Sequence, residues 1–224
     1  MNKQELLEVL KTYGFSKKVL LAFKKVRRED FISKDLQKYA YINEPLPIGK
    51  GATISQPYTI AFMLELLELE NLVINMNNEQ KKSSKMKNSE DYKKLKDINK
   101  IKILEIGSGS GYVIALINEI CNCKIYGIEI IKELVDKSKK ILNGKNIKII
   151  CGNGFFGLKK YSRFDRILIS AASDEIPSHL YDQLSDEGIL VCPVKNSIFQ
   201  ITKKNDKDYK IKEFPGFVFV PLQE

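Results

Sequence analysis

One histidine, His179, and four cysteines are all the imidazole and thiol side chains in this chain of 224 residues. The cysteines are Cys121, Cys123, Cys151 and Cys192, and the one close pair is spaced C-x-C, not C-x-x-C. No metal site of usual spacing can be assembled from them. No base partner for a Ser-His-Asp relay is readable either. No apolar run approaches the ~20 residues of a membrane span. Met1–Val9 carries Lys3, Glu5 and Glu8 where a signal peptide would keep an uncharged core. Cys151 and Cys192 fall in apolar stretches and read as buried thiols. That usage suits a reducing compartment, so the cytoplasm is expected and a membrane partner is not.

Acidic residues are also in short supply, 28 against 37 Lys and Arg, for a net charge of +9. Such a balance invites a nucleic-acid reading. The excess is localised, however. Asn71–Lys100 holds eight Lys against four acids, and Lys195–Lys212 holds six Lys against two. Both read as loops or a solvated hairpin, not as one aromatic-studded groove, so no nucleic-acid partner is expected. With 43% hydrophobic and 29% charged residues the chain reads as one soluble domain spanning 1–224.

Lys102–Tyr112, KILEIGSGSGY, organises what is present. A short apolar run ends in Gly107, Gly109 and Gly111, and Val113, Ile114, Leu116, Ile117 and Ile120 follow at helical spacing. This is a buried strand, a tight turn and a helix. A second apolar strand, Ile125–Ile128, ends at Glu129, 18 residues past Gly111. A carboxylate there can accept both hydroxyls of a ribose, the nucleoside layout of Rossmann-like sheets. Strands read at Lys102–Ile106, Lys124–Ile128, Ile147–Cys151, Arg166–Ser170 and Ile189–Val194, with helices at Tyr112–Ile120, Ile131–Leu142 and Pro177–Gln183. Alternation of this kind predicts an α/β fold, a doubly wound, mostly parallel sheet with helices on both faces. Ser197–Lys203 and Phe217–Leu222 are two further strand candidates, for about seven.

Before the sheet, Leu6, Leu7 and Leu10 mark a helix over Lys3–Tyr13 that Gly14 can stop. Ser16 can cap a second helix carrying Val19, Leu20, Phe23 and Val26. Val26–Phe31, VRREDF, reads as the charged end of that helix. Tyr39–Tyr58 follows, with Thr53 and Ser55 just before Pro57, which suits the first turn of a helix. From pattern alone Ser55 is an N-cap; the alternative is a pair of hydroxyls converging on a ligand. Asn71–Lys100, rich in Asn, Lys and Ser, reads as a low-complexity insertion between residues 1–70 and a sheet over 101–224.

The G-x-G-x-G turn with Glu105 before it and Glu129 beyond resembles the S-adenosylmethionine site of class I methyltransferases. With AYINEPLPIG, GATISQPY and Phe164–Val194 added, nearly the whole chain outside residues 71–100 resembles the protein-L-isoaspartate O-methyltransferases. Val26–Phe31 resembles that family's V-P-R-E-x-F, with Arg27 in place of proline. The resemblance implies a Rossmann-like sheet closed by an antiparallel C-terminal hairpin, with Lys203–Lys212 as its polar turn and helices as an N-terminal extension. It implies methyl transfer from S-adenosyl-L-methionine, leaving S-adenosyl-L-homocysteine, to the α-carboxyl of L-isoaspartyl or D-aspartyl residues in damaged proteins and peptides. It implies a monomer and no metal. Ser55 takes the catalytic position. Ala52, Thr53, Ile54, Ser55, Glu105, Gly107, Gly109, Glu129, Asp136, Asn153, Gly154 and Gln223 fall on the cofactor side; Thr53, Ser55 and Val220 fall on the substrate side. Asn153 stands where the family usually has Asp and can still accept through its amide oxygen.

Two rivals share the cofactor half: a class I methyltransferase acting on RNA or a small molecule, and a non-catalytic nucleic-acid-binding module. Ser170–Ser173 reads SAAS, without the Asn/Asp-Pro-Pro-aromatic tetrapeptide of base amino methylation. Thr53–Tyr58 favours the isoaspartyl acceptor.

Overall fold

The computed structural model describes residues 1–72, 100–142 and 144–218. Two helices open the chain, α1 (Lys3–Thr12) and α2 (Lys17–Lys25). A reciprocal capping box starts α1, with Glu5 N–H donating to Asn2 Oδ1 at 3.0 Å and Asn2 N–H to Glu5 Oε2 at 2.8 Å. Gly14, at φ 79°, ends it, and the Ser16 hydroxyl accepts from Val19 N–H to start α2. Then come a hairpin of β1 (Leu46–Gly49) and β2 (Ala52–Ile54) and the helix α3 (Pro57–Leu66).

The sheet has seven strands: β3 (Lys102–Ile106), β4 (Lys124–Glu129), β5 (Ile147–Cys151), β6 (Phe164–Ile169), β7 (Leu184–Val194), β8 (Ser197–Asn205) and β9 (Asp208–Pro215). Their order is β5-β4-β3-β6-β7-β8-β9. The strands from β5 to β7 pair in parallel, and β7–β8 and β8–β9 are antiparallel. Helices α4 (Tyr112–Cys121) and α5 (Lys132–Ile141) follow β3 and β4.

Alternation along the strands divides the core. Ile103 and Leu168 pack with Leu10, Phe23, Leu64, Ile114 and Ile117. Leu104, Ile106, Ile167 and Ile169 pack on the other face with Leu180, Leu184 and Leu190. Each buried aliphatic side chain stabilises the fold by about 1.5–3 kcal/mol relative to exposure. Helices α1 to α5 put apolar residues into the first cluster, while the second is covered by short 3₁₀ segments, Lys159–Tyr161 and Ser178–Gln183. The turn expected as a helix over Pro177–Gln183 is therefore a 3₁₀ turn.

The C-terminal hairpin departs from expectation. Lys203–Lys212 is not all turn: it holds the end of β8 and the start of β9, with only Asp206 and Lys207 between the two paired strands. The Lys207 N–H donates to Asn205 Oδ1, which closes that tight turn. The lysines suit an edge strand, where charge discourages pairing with another chain, and this hid β9 from a reading based on apolar alternation. Phe217 and Val218 are not in a strand, and the rest of Phe217–Leu222 lies outside the described residues, as does nearly all of the Asn71–Lys100 insertion. Cys151, expected to be buried, is exposed, because β5 is the opposite edge of the sheet; Cys121, Cys123 and Cys192 are buried.

Candidate active site

The five parallel strands present their carboxyl ends on one rim, where ligands of open α/β sheets bind. A cavity of about 540 Å³ opens there. Gly107, Gly109, Glu129, Gly154 and Ser170 line it from the sheet, and Ala52, Thr53, Ser55 and Tyr58 face them from the β1–β2 hairpin and the start of α3.

The turn after β3 is tied to the end of β4. Gly107 and Ser108 N–H both donate to the Ile128 carbonyl, at 2.9 and 3.1 Å. Gly109 N–H donates to Glu129 Oε2 at 2.8 Å, and Ile131 N–H to Oε1 at 2.9 Å. Both carboxylate oxygens are thereby fixed, and each keeps a lone pair for a ligand. Gly107 and Gly109 have φ of 76° and 50°, a region L side chains rarely adopt. A Cβ on Gly109 would also come within 3.2 Å of Ile48 in the hairpin above.

Glu105, on the opposite face of β3 from Leu104 and Ile106, is 1% exposed. The Ser170 hydroxyl donates to its Oε1 at 2.6 Å, while Oε2 has no partner among the described residues. Burial pushes its pKa up to about 8, the Glu129 charge adds to the rise, and the Ser170 bond opposes it. Ser108 Oγ is likewise buried and without a partner among the described residues. Glu105 and Ser108 line a small cavity of about 40 Å³ that also meets Thr53, Ile54 and Ser55. A buried carboxyl with one free oxygen is suited to a cationic group.

The acceptor side is built differently. The N-cap of α3 is Gln56, not Ser55. Asn43 meets this helix start from outside: Tyr58 N–H donates to Asn43 Oδ1, and Gln56 Nε2 to the Asn43 carbonyl, both at 2.9 Å. The Ser55 hydroxyl is therefore not used for capping. Neither it nor the Thr53 hydroxyl bonds to any described residue, and both line the cavity.

Under this segment lies Arg28, the first residue of a 3₁₀ turn (Arg28–Phe31) and 0% exposed. Its Nη1 donates to the carbonyls of Ala40 (2.8 Å) and Ile42 (3.2 Å), and its Nη2 to those of Glu44 (3.0 Å) and Ser55 (3.0 Å). Burial lowers its pKa to about 10, so it stays cationic at neutral pH. The expectation of a charged helix end does not hold for Arg28, which is buried. The one signal was the V-P-R-E-x-F resemblance; periodicity carried none.

Comparison with known proteins agrees with this geometry. The profile described as protein-L-isoaspartate(D-aspartate) O-methyltransferase matches residues 1–78 and 70–224. The chain belongs to this family. Among its relatives, the protein-L-isoaspartate O-methyltransferase of Petrotoga mobilis is 41% identical over 223 residues, covering 95% of this chain and 91% of that one. The Dictyoglomus thermophilum protein of the same name is 38% identical over 229 residues, covering 99% and 90%. A Plasmodium falciparum structure described as a beta-aspartate methyltransferase, in complex with S-adenosyl-L-homocysteine, aligns at a TM-score of 0.75 and 28% identity over 100% of this chain and 99% of that one.

For a member of the protein-L-isoaspartate O-methyltransferase family, the expected site residues divide four ways. Ala52, Thr53, Ser55, Gly107, Gly109, Glu129 and Gly154 meet in the large cavity. Ile54 is buried and, with Glu105, lines the small cavity. Asp136 and Asn153 are not brought to either wall. Asp136 is on the solvent side of α5, where its Oδ2 accepts from Lys132 Nζ at 2.6 Å, one helical turn away. Asn153 Oδ1 accepts from Phe155 N–H at 2.8 Å, an Asx turn that draws its amide oxygen back to the main chain. Val220 and Gln223 lie outside the described residues.

Proposed function

We infer that the chain is an S-adenosyl-L-methionine-dependent protein carboxyl O-methyltransferase acting on the α-carboxyl of L-isoaspartyl residues in damaged proteins and peptides. One observation carries this reading beyond family membership: the unengaged hydroxyls of Thr53 and Ser55 open into the same cavity as Glu129 and the glycine turn.

The residues present fit the cofactor. The free lone pairs of Glu129 suit its ribose hydroxyls, and the unpartnered Glu105 Oε2 suits its ammonium. Gly107 and Gly109 let the backbone approach, and Gly154 lines the same cavity; Asn153, whose Oδ1 accepts within its own turn, is proposed at the adenine edge on the family resemblance alone. Asp136, Val220 and Gln223 are proposed as neighbours on the family resemblance alone. When bound, S-adenosyl-L-methionine supplies a methyl group already activated by its positive sulfur.

The chain's own work is then positioning. An α-carboxyl with a reference pKa near ~3.5 is ionised at neutral pH, so no general base is needed. Ser55 donates its hydroxyl hydrogen to that carboxylate and orients one oxygen, with Thr53 beside it. Pro45, Ile48, Ile106, Ile128, Tyr58 and Phe217 exclude water around it. Alignment of this kind can supply up to ~7–11 kcal/mol of a barrier. We further propose that the protein works as a monomeric unit in the cytoplasm, a reading supported by the cysteine usage and the family resemblance.

The test is methyl transfer to an isoaspartyl peptide beside its normal aspartyl twin. Labelling of the first alone is expected. Equal labelling of both, or of neither, overturns the assignment.

A further inference from the structure

Ser55 is held in place by its main chain, not by its side chain. Its hydroxyl makes no bond to a described residue, and the N-cap of α3 is its neighbour Gln56. One strong contact does reach Ser55, through its carbonyl, from the buried guanidinium of Arg28. The same fork holds the carbonyls of Ala40, Ile42 and Glu44. Asn43, inside that stretch, holds Gln56 and Tyr58. Residues 40–44 thus form a brace, pinned to Ser55 on one side by Arg28 and to the helix start on the other by Asn43.

We propose that Arg28 is a positioning residue of the acceptor side, setting through the Ser55 carbonyl where the Ser55 hydroxyl stands in the cavity. This rests on the reading of Ser55 given above. Three physical points carry it. A guanidinium is a planar fork with fixed donor directions, so four carbonyls on one fork share one geometry; an ammonium cannot reproduce it. Burying a cation is costly, and here no carboxylate pairs with it among the described residues; a group whose role was only to fill space would not need the charge. The glycine turn and Glu129, by contrast, are held by bonds to Ile128, Gly109 and Ile131 and make none to Arg28. Loss of the fork should therefore disturb the acceptor and spare the cofactor.

The test separates those two sides. Arg28→Gln and Arg28→Lys are measured for kcat and KM with an isoaspartyl peptide, and for S-adenosyl-L-homocysteine affinity by calorimetry. Arg28→Gln is expected to lose on the order of 100-fold in kcat/KM for the peptide, and Arg28→Lys, which restores the charge without the fork, about tenfold. Affinity for S-adenosyl-L-homocysteine should stay within about twofold in both. Equal loss on both sides, or no loss on the acceptor side, overturns the inference. If the Arg28 variants do not fold, Asn43→Ala decides: it leaves the fork in place, frees the other end of the brace and should show the same one-sided loss at about threefold. An unchanged peptide kcat/KM in Asn43→Ala then refutes the brace. A wild-type protein that fails to label the isoaspartyl peptide sinks the functional reading, and this inference with it. A wild-type protein that labels normally beside variants with no one-sided loss sinks the inference alone.

Discussion

The two halves of the cavity are held by different kinds of contact. On the cofactor side the bonds run between the ends of adjacent parallel strands, where the register sets Ile106 beside Ile128 and Glu129 beside Cys151. The turn glycines and Glu129 are placed by the sheet itself. On the acceptor side Ser55 follows a strand of three residues in a separate two-stranded hairpin. Its position depends on Arg28, 27 residues away in the chain, and its neighbours depend on Asn43. The cofactor half is a consequence of topology, and the acceptor half is a consequence of a few long-range polar contacts.

That contrast can be broken most sharply at Glu129. Glu129→Ala removes two acceptors for the ribose hydroxyls, worth together about 3 kcal/mol, so S-adenosyl-L-homocysteine should bind on the order of 100-fold more weakly. Calorimetry reads this directly, and peptide KM should barely move. Ser55→Ala is the mirror experiment. One hydrogen bond to a charged carboxylate, about 1.5–3 kcal/mol, should cost ~10- to 100-fold in kcat with cofactor affinity intact. Full turnover in a folded Ser55→Ala protein would remove the residue from the mechanism.

Glu105 sharpens the cofactor side through pH. Its folded pKa, raised to about 8 from 4.5 by burial, lies above that of the unfolded chain. The native protein therefore keeps a proton there that the unfolded chain gives up. Its contribution to stability is complete below about pH 4.5 and is lost as pH rises through about 8. The melting temperature of the ligand-free protein, measured against Glu105→Gln, should fall over that window. A cation facing Glu105 would displace the proton, so S-adenosyl-L-homocysteine affinity should climb with pH toward 8, by about tenfold per unit at most, and level off. A flat profile matching that of Glu105→Gln would remove Glu105 from the ammonium site. The smallest effect is expected at Asp136, whose exposed pair with Lys132 lines neither cavity. Asp136→Asn should leave cofactor affinity within about twofold. A larger loss would show that α5 turns its side chain inward on binding.

The elements of the cofactor half were readable because local pattern and final place coincide there. Lys102–Ile106 and Ile147–Cys151 occur with the bounds expected of them, and the glycines of the first turn adopt the backbone that only glycine enters freely. Strand β9 was not readable, because an edge strand rich in lysine carries the composition of a turn. Cys151 was misplaced for a related reason: an apolar strand at the edge of the sheet exposes what the same strand at its centre would bury. Arg28 was missed because nothing in VRREDF distinguishes a solvated arginine from one whose partners are carbonyls at positions 40, 42, 44 and 55.

By itself the sequence determined the alternation of strand and helix, the glycine turn, the acidic residue that faces it and the hydroxyls before Pro57, since each follows from spacing over a few residues. Only the tertiary structure decided that Ser55 keeps its hydroxyl free while Asn43 meets the helix start, that Asn153 spends a lone pair on its own turn, and that a cation lies buried beneath the acceptor wall. The reason is physical. Which polar group satisfies which is settled by proximity after folding, and a buried donor takes the carbonyls that the packed chain brings within its reach.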